Sequence, residues 1–162
     1  TSQSTVALEG DRPADPAVAQ REFSRCLECS YVCNKCVEVC PNRANMALPI
    51  SSEGFSNYCQ IIHLDAYCNE CGNCATFCPW NGKPYTDKVT VFSLQSDFEN
   101  SANPGFFVTH NTVMIRSGGE VFKTELCDGN LSETVKNRIG KMADVFAALY
   151  TSRPSLFGPV QE

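Results

Sequence analysis

Apolar and polar positions first alternate in a strand-like way at ANMALPI (44–50) and QIIHLD (60–65). Together they predict a central hairpin with an enlarged connection, SSEGFSNYC (51–59). DKVTVFSL (87–94) predicts a further strand. DFENSANPGF (97–106) is rich in turn formers and is expected to be a loop. FFVTHNTVMIRSGGEVFKTEL (106–126) contains two β-rich runs around Ser117-Gly118-Gly119, a hairpin signal. Val135, Ile139, Met142, Phe146 and Leu149 then fall on one helical face. Asn130-x-x-Glu133 offers an N-cap pattern ahead of that helix. The apolar stripe is expected to pack as core against the hairpin, with partner docking as its other use. Residues 1–22, which include DRPADP, read as an extended lead-in or linker. AVAQREFSR (17–25) is compatible with a helical turn or two entering the next region.

Composition narrows the class. The 162 residues suit one domain, or a small domain with an appendage, and 43% hydrophobic residues can build a core. A formal charge of −5 argues against nucleic-acid and anionic-membrane partners. The longest apolar run, VFAALY (145–150), is too short to span a bilayer. TSQSTVALEG has neither the basic region nor the apolar centre of a secretory signal, and it has no initiator Met. The sequence is therefore expected to be processed, trimmed or part of a longer chain.

Eleven cysteines dominate the chemistry. A disulfide framework suits a short exported chain, but the count is odd and no export signal is visible. Zinc explains isolated CxxC pairs such as Cys33/Cys36 and Cys71/Cys74. It does not explain CNECGNCATFCP (68–79). There Cys68, Cys71, Cys74 and Cys78 follow the C-x2-C-x2-C-x3-C-P run of two-cluster ferredoxins without deviation. Three cysteines on a tight loop reach three corners of one cube, and small residues such as Gly72 and Asn73 let backbone N–H groups approach the sulfurs. The fourth faces away and ligates the other cluster.

The same run occurs earlier, slightly altered. RCLECSYVCNKCVEVCP (25–41) holds Cys26, Cys29, Cys33, Cys36 and Cys40. Cys33 to Cys71, Cys36 to Cys74 and Cys40 to Cys78 are each 38 residues apart, and Cys29 to Cys68 is 39. The chain thus reads as an internal duplication with one extra residue in its first copy. Crossed ligation assigns Cys29, Cys33, Cys36 and Cys78 to one [4Fe–4S] cluster and Cys68, Cys71, Cys74 and Cys40 to a second. Cys26 is the spare; its use in place of Cys29, across a six-residue gap, is the alternative. A C-x3-C-x2-C loop also occurs in radical enzymes built on a large barrel, for which this chain is too short. Cys59 and Cys127 have no local partners and read as structural thiols, His63 as packed or exposed, and Trp80 as cover for a cluster or an electron entry face. No Ser/His/Asp set, phosphate loop or pair of placed catalytic carboxylates is present.

These elements predict an α+β protein: a pseudo-twofold, two-[4Fe–4S] bacterial ferredoxin-like domain over 23–98. A C-terminal β-hairpin and amphipathic helix over 99–162 extend it. The function expected is electron transfer, with a structural or docking subunit as the rival. RCLECSYVCNKCVEVCPNRAN, HLDAYCNECGNCATFCPWNGKPYTDK and FSLQSDFENSANPGF further resemble the C-terminal region of the selenate reductase iron–sulfur subunit family. The resemblance covers roughly residues 17–126. It implies a flavin- and pyridine-nucleotide-binding partner or domain, similar to the glutamate synthase small subunit, joined near REFSRCLEC. It also implies a molybdenum hydroxylase-type partner and a cytoplasmic, anaerobic setting. The flavin part itself is not in this sequence, which lacks a GxGxxG.

Overall fold

The computed structural model describes residues 33–50, 55, 58–127 and 129–157. Six strands form one mixed sheet in chain order: β1 (Asn45–Pro49), β2 (Cys59–Leu64), β3 (Val89–Phe92), β4 (Gly105–Thr109), β5 (Thr112–Ser117) and β6 (Glu120–Glu125). Strands β1 and β2 pair antiparallel, as the alternation predicts. Strands β2, β3 and β4 run parallel, and β4–β5–β6 is an antiparallel meander. Parallel neighbours need crossovers. The first crossover carries the second cysteine run with helices α2 (Asn73–Thr76) and α3 (Pro84–Asp87); the second carries α4 (Gln95–Asn100). A short helix α1 (Lys35–Glu38) precedes β1, and α5 (Glu133–Ile139) and α6 (Lys141–Ser152) follow β6.

The central strands are buried on both faces, so neighbouring residues serve different layers. Ile62, Leu64, Val89, Val91, Phe106, Val113 and Ile115 face α5 and α6, which contribute Ile139, Met142, Val145, Phe146 and Leu149 to the main core. The apolar stripe is therefore core, with Phe146 set edge-on to Phe106 at 5.1 Å between ring centres. On the other face Ile61 packs with Cys36 and Cys74, and Phe92 and Phe107 pack with Phe98. The cysteine-bearing helices thus lie on the opposite side of the sheet from the C-terminal helices.

Local details depart from the sequence reading. Residues 97–106 are not all loop, because α4 covers Gln95–Asn100 and seats Phe98 in the second layer. The first β-rich run of 106–126 is two strands, turned at His110-Asn111 with His110 at φ 49°. The Gly118-Gly119 hairpin forms as predicted, both residues at positive φ between the closing pair Ser117 and Glu120. The final helix is broken at Gly140, whose φ of 54° ends α5 and starts α6. Ser132, not Asn130, precedes α5; Asn130 instead bridges to Cys127.

Sheet continuity depends on one close backbone approach. Gly105 lies opposite Thr90 across β3 and β4, and the Thr90 N–H donates to Pro104 O at 2.8 Å. A Cβ at 105 would run into the Thr90 carbonyl and stand 3.0 Å from Phe92 Cε2. Among the described residues no helix is long and apolar enough to cross a membrane.

Candidate metal centre

The duplication read from the cysteine offset recurs in the backbone. Helices α1 and α2 begin 38 residues apart, and each opens with two hydrogen bonds to one carbonyl. Val37 and Glu38 N–H donate to Asn34 O, as Ala75 and Thr76 N–H donate to Gly72 O. After each Cys-Pro the chain makes the same left-handed turn, at Arg43 (φ 57°) and Asn81 (φ 56°). That turn aims the next N–H back at the cysteine. Ala44 N–H donates to Cys40 Sγ at 3.2 Å, and Gly82 N–H donates to Cys78 Sγ at 3.3 Å. Two non-glycine residues are thus held in this uncommon region, each beside a hydrogen-bonded sulfur.

The copies diverge after Gly82. Ala44 leads directly into β1, whereas Lys83 leads into α3. Gly72, at φ 78°, precedes α2 and lets the loop reverse; a Cβ there would meet nothing within 4 Å. Its positive φ is a backbone angle that glycine adopts without strain.

Cys40 lines one hollow together with Cys68, Cys71 and Cys74. Asn45, His63, Tyr67, Glu70 and Tyr85 are among the other residues that line it. Cys74 is buried, Cys40 and Cys68 are half-buried, and Cys71 is exposed. Burial pushes the Cys68 thiol up, and the charges of Cys74 and Cys40 push it further. Burial likewise pushes the Cys74 thiol up, against hydrogen bonds from the Tyr85 and Ala75 backbone and the Asn45 side chain. Glu70 N–H donates to Cys68 Sγ at 3.3 Å. These donors suit sulfur in its thiolate form. A cationic core among the sulfurs would remove the penalty, since a coordinating thiol loses its proton outright.

Whether the donor set fits a cluster is decided by spacing and chemistry. Four thiolates round one tetrahedral ion at about 2.3 Å would lie about 3.8 Å apart. Among the described residues no group of three or more His, Cys, Asp or Glu side chains is gathered tightly enough to hold such an ion. Four cysteine sulfurs lining one hollow, with N–H donors among them, are the donor chemistry that a multi-iron core takes, in which each sulfur binds its own iron.

Of the other expected ligands, Cys36 is buried on α1 beside Cys74, while Cys33 and Cys78 are half-buried. Cys29 and the spare Cys26 lie outside the described residues, as do the lead-in and its helical turn. Cys59 and Cys127 do not line the hollow; burial pushes the Cys59 thiol up, and Cys127 is exposed. Among the described residues there is no disulfide. Trp80 is 48% exposed, and Tyr67 and Phe77 are also exposed.

His63, read from the sequence as packed or exposed, is packed, whereas Asn103 and Arg116 escaped the sequence reading. His63 is 2% exposed and its Nδ1 lies 3.0 Å from Asn45 Oδ1; burial pushes its pKa down to about 4. Asn103 Nδ2 donates to Tyr85 O at 2.9 Å, holding a residue that lines the hollow beside Cys74. Arg116 donates to Phe98 O at 2.8 Å and to Asn103 O at 3.5 Å, with its guanidinium 4.3 Å from the Phe98 ring centre. Strand β5, the middle strand of the meander, thereby buttresses the cysteine layer. No local pattern signals these contacts, which depend on strand register.

No family model matches the chain, and no solved structure matches it. Two curated relatives do, from Escherichia coli strain K12 and Escherichia coli O157:H7, each described as "Putative oxidoreductase YgfK". Each is 46% identical over 157 residues, 97% of this chain and 15% of the relative. The chain therefore spans about 15% of the length of the curated relatives it matches.

Proposed function

We propose that this chain is the electron-transfer part of an oxidoreductase and holds two [4Fe–4S] clusters. One would be bound by Cys40, Cys68, Cys71 and Cys74, the other by Cys29, Cys33, Cys36 and Cys78. The observation that carries the reading is the company of Cys40. It belongs to the first repeat, yet lines the same hollow as the three loop cysteines of the second. Crossed placement of the fourth cysteine is the signature of two-cluster ferredoxins. The oxidoreductase description of the E. coli relatives agrees with a redox role.

When bound, such clusters take up single electrons, which divides a flavin's two-electron chemistry into separate steps. The chain's own residues hold and tune the sites. Ala44, Glu70 and Gly82 direct N–H groups at sulfurs, which favours added negative charge there. Ile61 and Tyr85 pack beside Cys74 and keep water from one side of the hollow. Residues 23–98 form the ferredoxin-like part in this reading, and 99–162 complete its sheet and cover its other face.

A flavin- and pyridine-nucleotide-binding part and a molybdenum hydroxylase-type enzyme are the partners we propose, in the cytoplasm. Resemblance of the cysteine-rich segments supports this. The relatives are several times longer than this chain, which leaves room for a flavin part on the same polypeptide. The test is anaerobic purification with metal and sulfide analysis. About eight irons and about eight acid-labile sulfides per chain are expected, with reversible bleaching by a flavoprotein reductant. Stoichiometric zinc without labile sulfide overturns the reading. Full clusters that no flavoprotein reduces would make the chain a structural subunit.

A further inference from the structure

Arg116 on β5 is buried, 9% exposed, and among the described residues no carboxylate pairs with it. Burying a guanidinium is costly unless its donors are used. They are spent on carbonyls of two separate segments, Phe98 O in α4 at 2.8 Å and Asn103 O in the loop before β4 at 3.5 Å. Phe98 lies in the last turn of α4, where carbonyls lack intrahelical donors and a cation is favoured. The loop held in this way is tied at two further points. Asn103 N–H donates to Ser101 Oγ at 3.1 Å, and Asn103 Nδ2 donates to Tyr85 O at 2.9 Å. Tyr85 belongs to α3, lines the hollow with Cys40, Cys68, Cys71 and Cys74, and packs in one cluster with Cys36, Ile61 and Cys74. Helix α3 has only four residues, too few to hold its place by its own hydrogen bonds. Its Tyr85 carbonyl is anchored instead by a side chain 18 residues further on. Hydrogen bonds therefore run from β5 through Asn103 to the wall of the hollow.

We propose that Arg116 and Asn103 are positioning residues that hold Tyr85 on the wall of the centre at Cys40, Cys68, Cys71 and Cys74, and so set how readily that centre loses iron to a chelator in solution. This rests on the cluster reading of that site. The direction follows from access. A chelator acts where it reaches the irons, and Tyr85 packs beside Cys74 on one side of the hollow. Releasing the Tyr85 carbonyl frees α3 to open there, by the amount that one hydrogen bond holds a local opening closed. Cys33 and Cys78, expected at the other centre, do not line this hollow, so only one of the two centres should respond.

The experiment compares the wild-type chain with Asn103→Ala, Arg116→Met, the double variant and Leu149→Ala, all loaded anaerobically to equal iron and labile sulfide. A ferrous iron chelator is added, and the paramagnetic signal of each reduced centre is followed in time. The signals are assigned with Cys71→Ser and Cys33→Ser. Asn103→Ala and Arg116→Met are each expected to speed loss of the signal that Cys71→Ser affects by about fivefold, with the other unchanged. The double variant should be no faster than the faster single variant, because both residues act through one contact. Leu149→Ala loosens the core on the far face of the sheet and should not favour loss of either signal. Unchanged loss in Asn103→Ala, equal acceleration of both signals, or the same selective loss in Leu149→Ala overturns the proposal and leaves the cluster reading standing. Single-variant effects that multiply in the double variant remove Arg116 from it. If Arg116→Met fails to load, Asn103→Ala decides by the same two signals. A wild-type chain without labile sulfide removes both the cluster reading and this inference.

Discussion

Replacing Gly105 with Ala tests the joint between the cysteine-bearing half of the sheet and the meander. The added methyl would be driven into the Thr90 carbonyl and against Phe92. Neither can yield easily, since Thr90 is fully buried backbone in β3 and Phe92 is 2% exposed. Overpacking of this kind costs about 1–3 kcal/mol. If the strands part instead, the Thr90 N–H loses Pro104 O, and an unsatisfied buried donor costs about 1–3 kcal/mol. Either way the cost is about 2 kcal/mol, which corresponds to a fall in melting temperature of about 6 °C for a chain of this length. Gly119→Ala is the control. Its φ of 81° is strained for any side chain, but a Cβ there meets nothing within 4 Å. It should cost about 1 kcal/mol, or about 3 °C. Thermal melts followed by far-UV circular dichroism, on samples of equal iron content, give both values. Gly105→Ala melting within about 3 °C of the parent, or above Gly119→Ala, would refute the parallel β3–β4 pairing.

Leu149→Ala, at a fully buried position on α6, should cost about 3 kcal/mol in denaturant unfolding, whereas exposed Asp144→Ala should stay within about 0.5 kcal/mol. Equal effects would remove the C-terminal helix from the core. Burial keeps the folded pKa of His63 at about 4, below its ordinary 6.5, so the unfolded chain binds the extra proton between those values. The stability this contributes is complete above pH 6.5 and is lost as pH falls toward 4. Relative to His63→Leu, the parent should lose about 2 kcal/mol between pH 7 and pH 5, and a pH-independent difference would contradict the buried neutral ring. Cys26→Ala should keep both clusters, while Cys29→Ala should lose one or convert it to a three-iron form. The reverse pattern would assign the longer gap.

Local spacing was the most legible part of the sequence, and it sets Cys68, Cys71 and Cys74 round one hollow. The spacing of Cys68, Cys71, Cys74, Cys78 and Pro79 constrains a few adjacent residues, so it survives whatever the rest of the chain does. The 38-residue offset announced a repeat that recurs in α1, α2 and the turns at Arg43 and Asn81. Alternation likewise located the β1–β2 hairpin, because one residue's slip would expose its core face. Context-dependent features did not show. The apolar stripe continues through Gly140, so the helix break there is invisible to periodicity and appears only in the backbone angle. QSDFEN has weak helical character on its own and is helical where Phe98 finds a pocket against Phe92 and Phe107. Asn45 and His63 are 18 residues apart and meet through strand register, and Arg116 reaches Phe98 across the same distance. Such contacts have no fixed sequence spacing to betray them.

The central claim is that the fourth cysteine of each run serves the other run's centre. Paramagnetic resonance of the reduced protein, recorded for Cys33→Ser, Cys40→Ser, Cys71→Ser and Cys78→Ser, tests it most directly. Cys40 shares its hollow with Cys71, so Cys40→Ser should remove or alter the signal that Cys71→Ser affects. Cys78→Ser should act on the signal affected by Cys33→Ser. Cys40→Ser acting on the Cys33 signal, with Cys78→Ser acting on that of Cys71, would contradict the account.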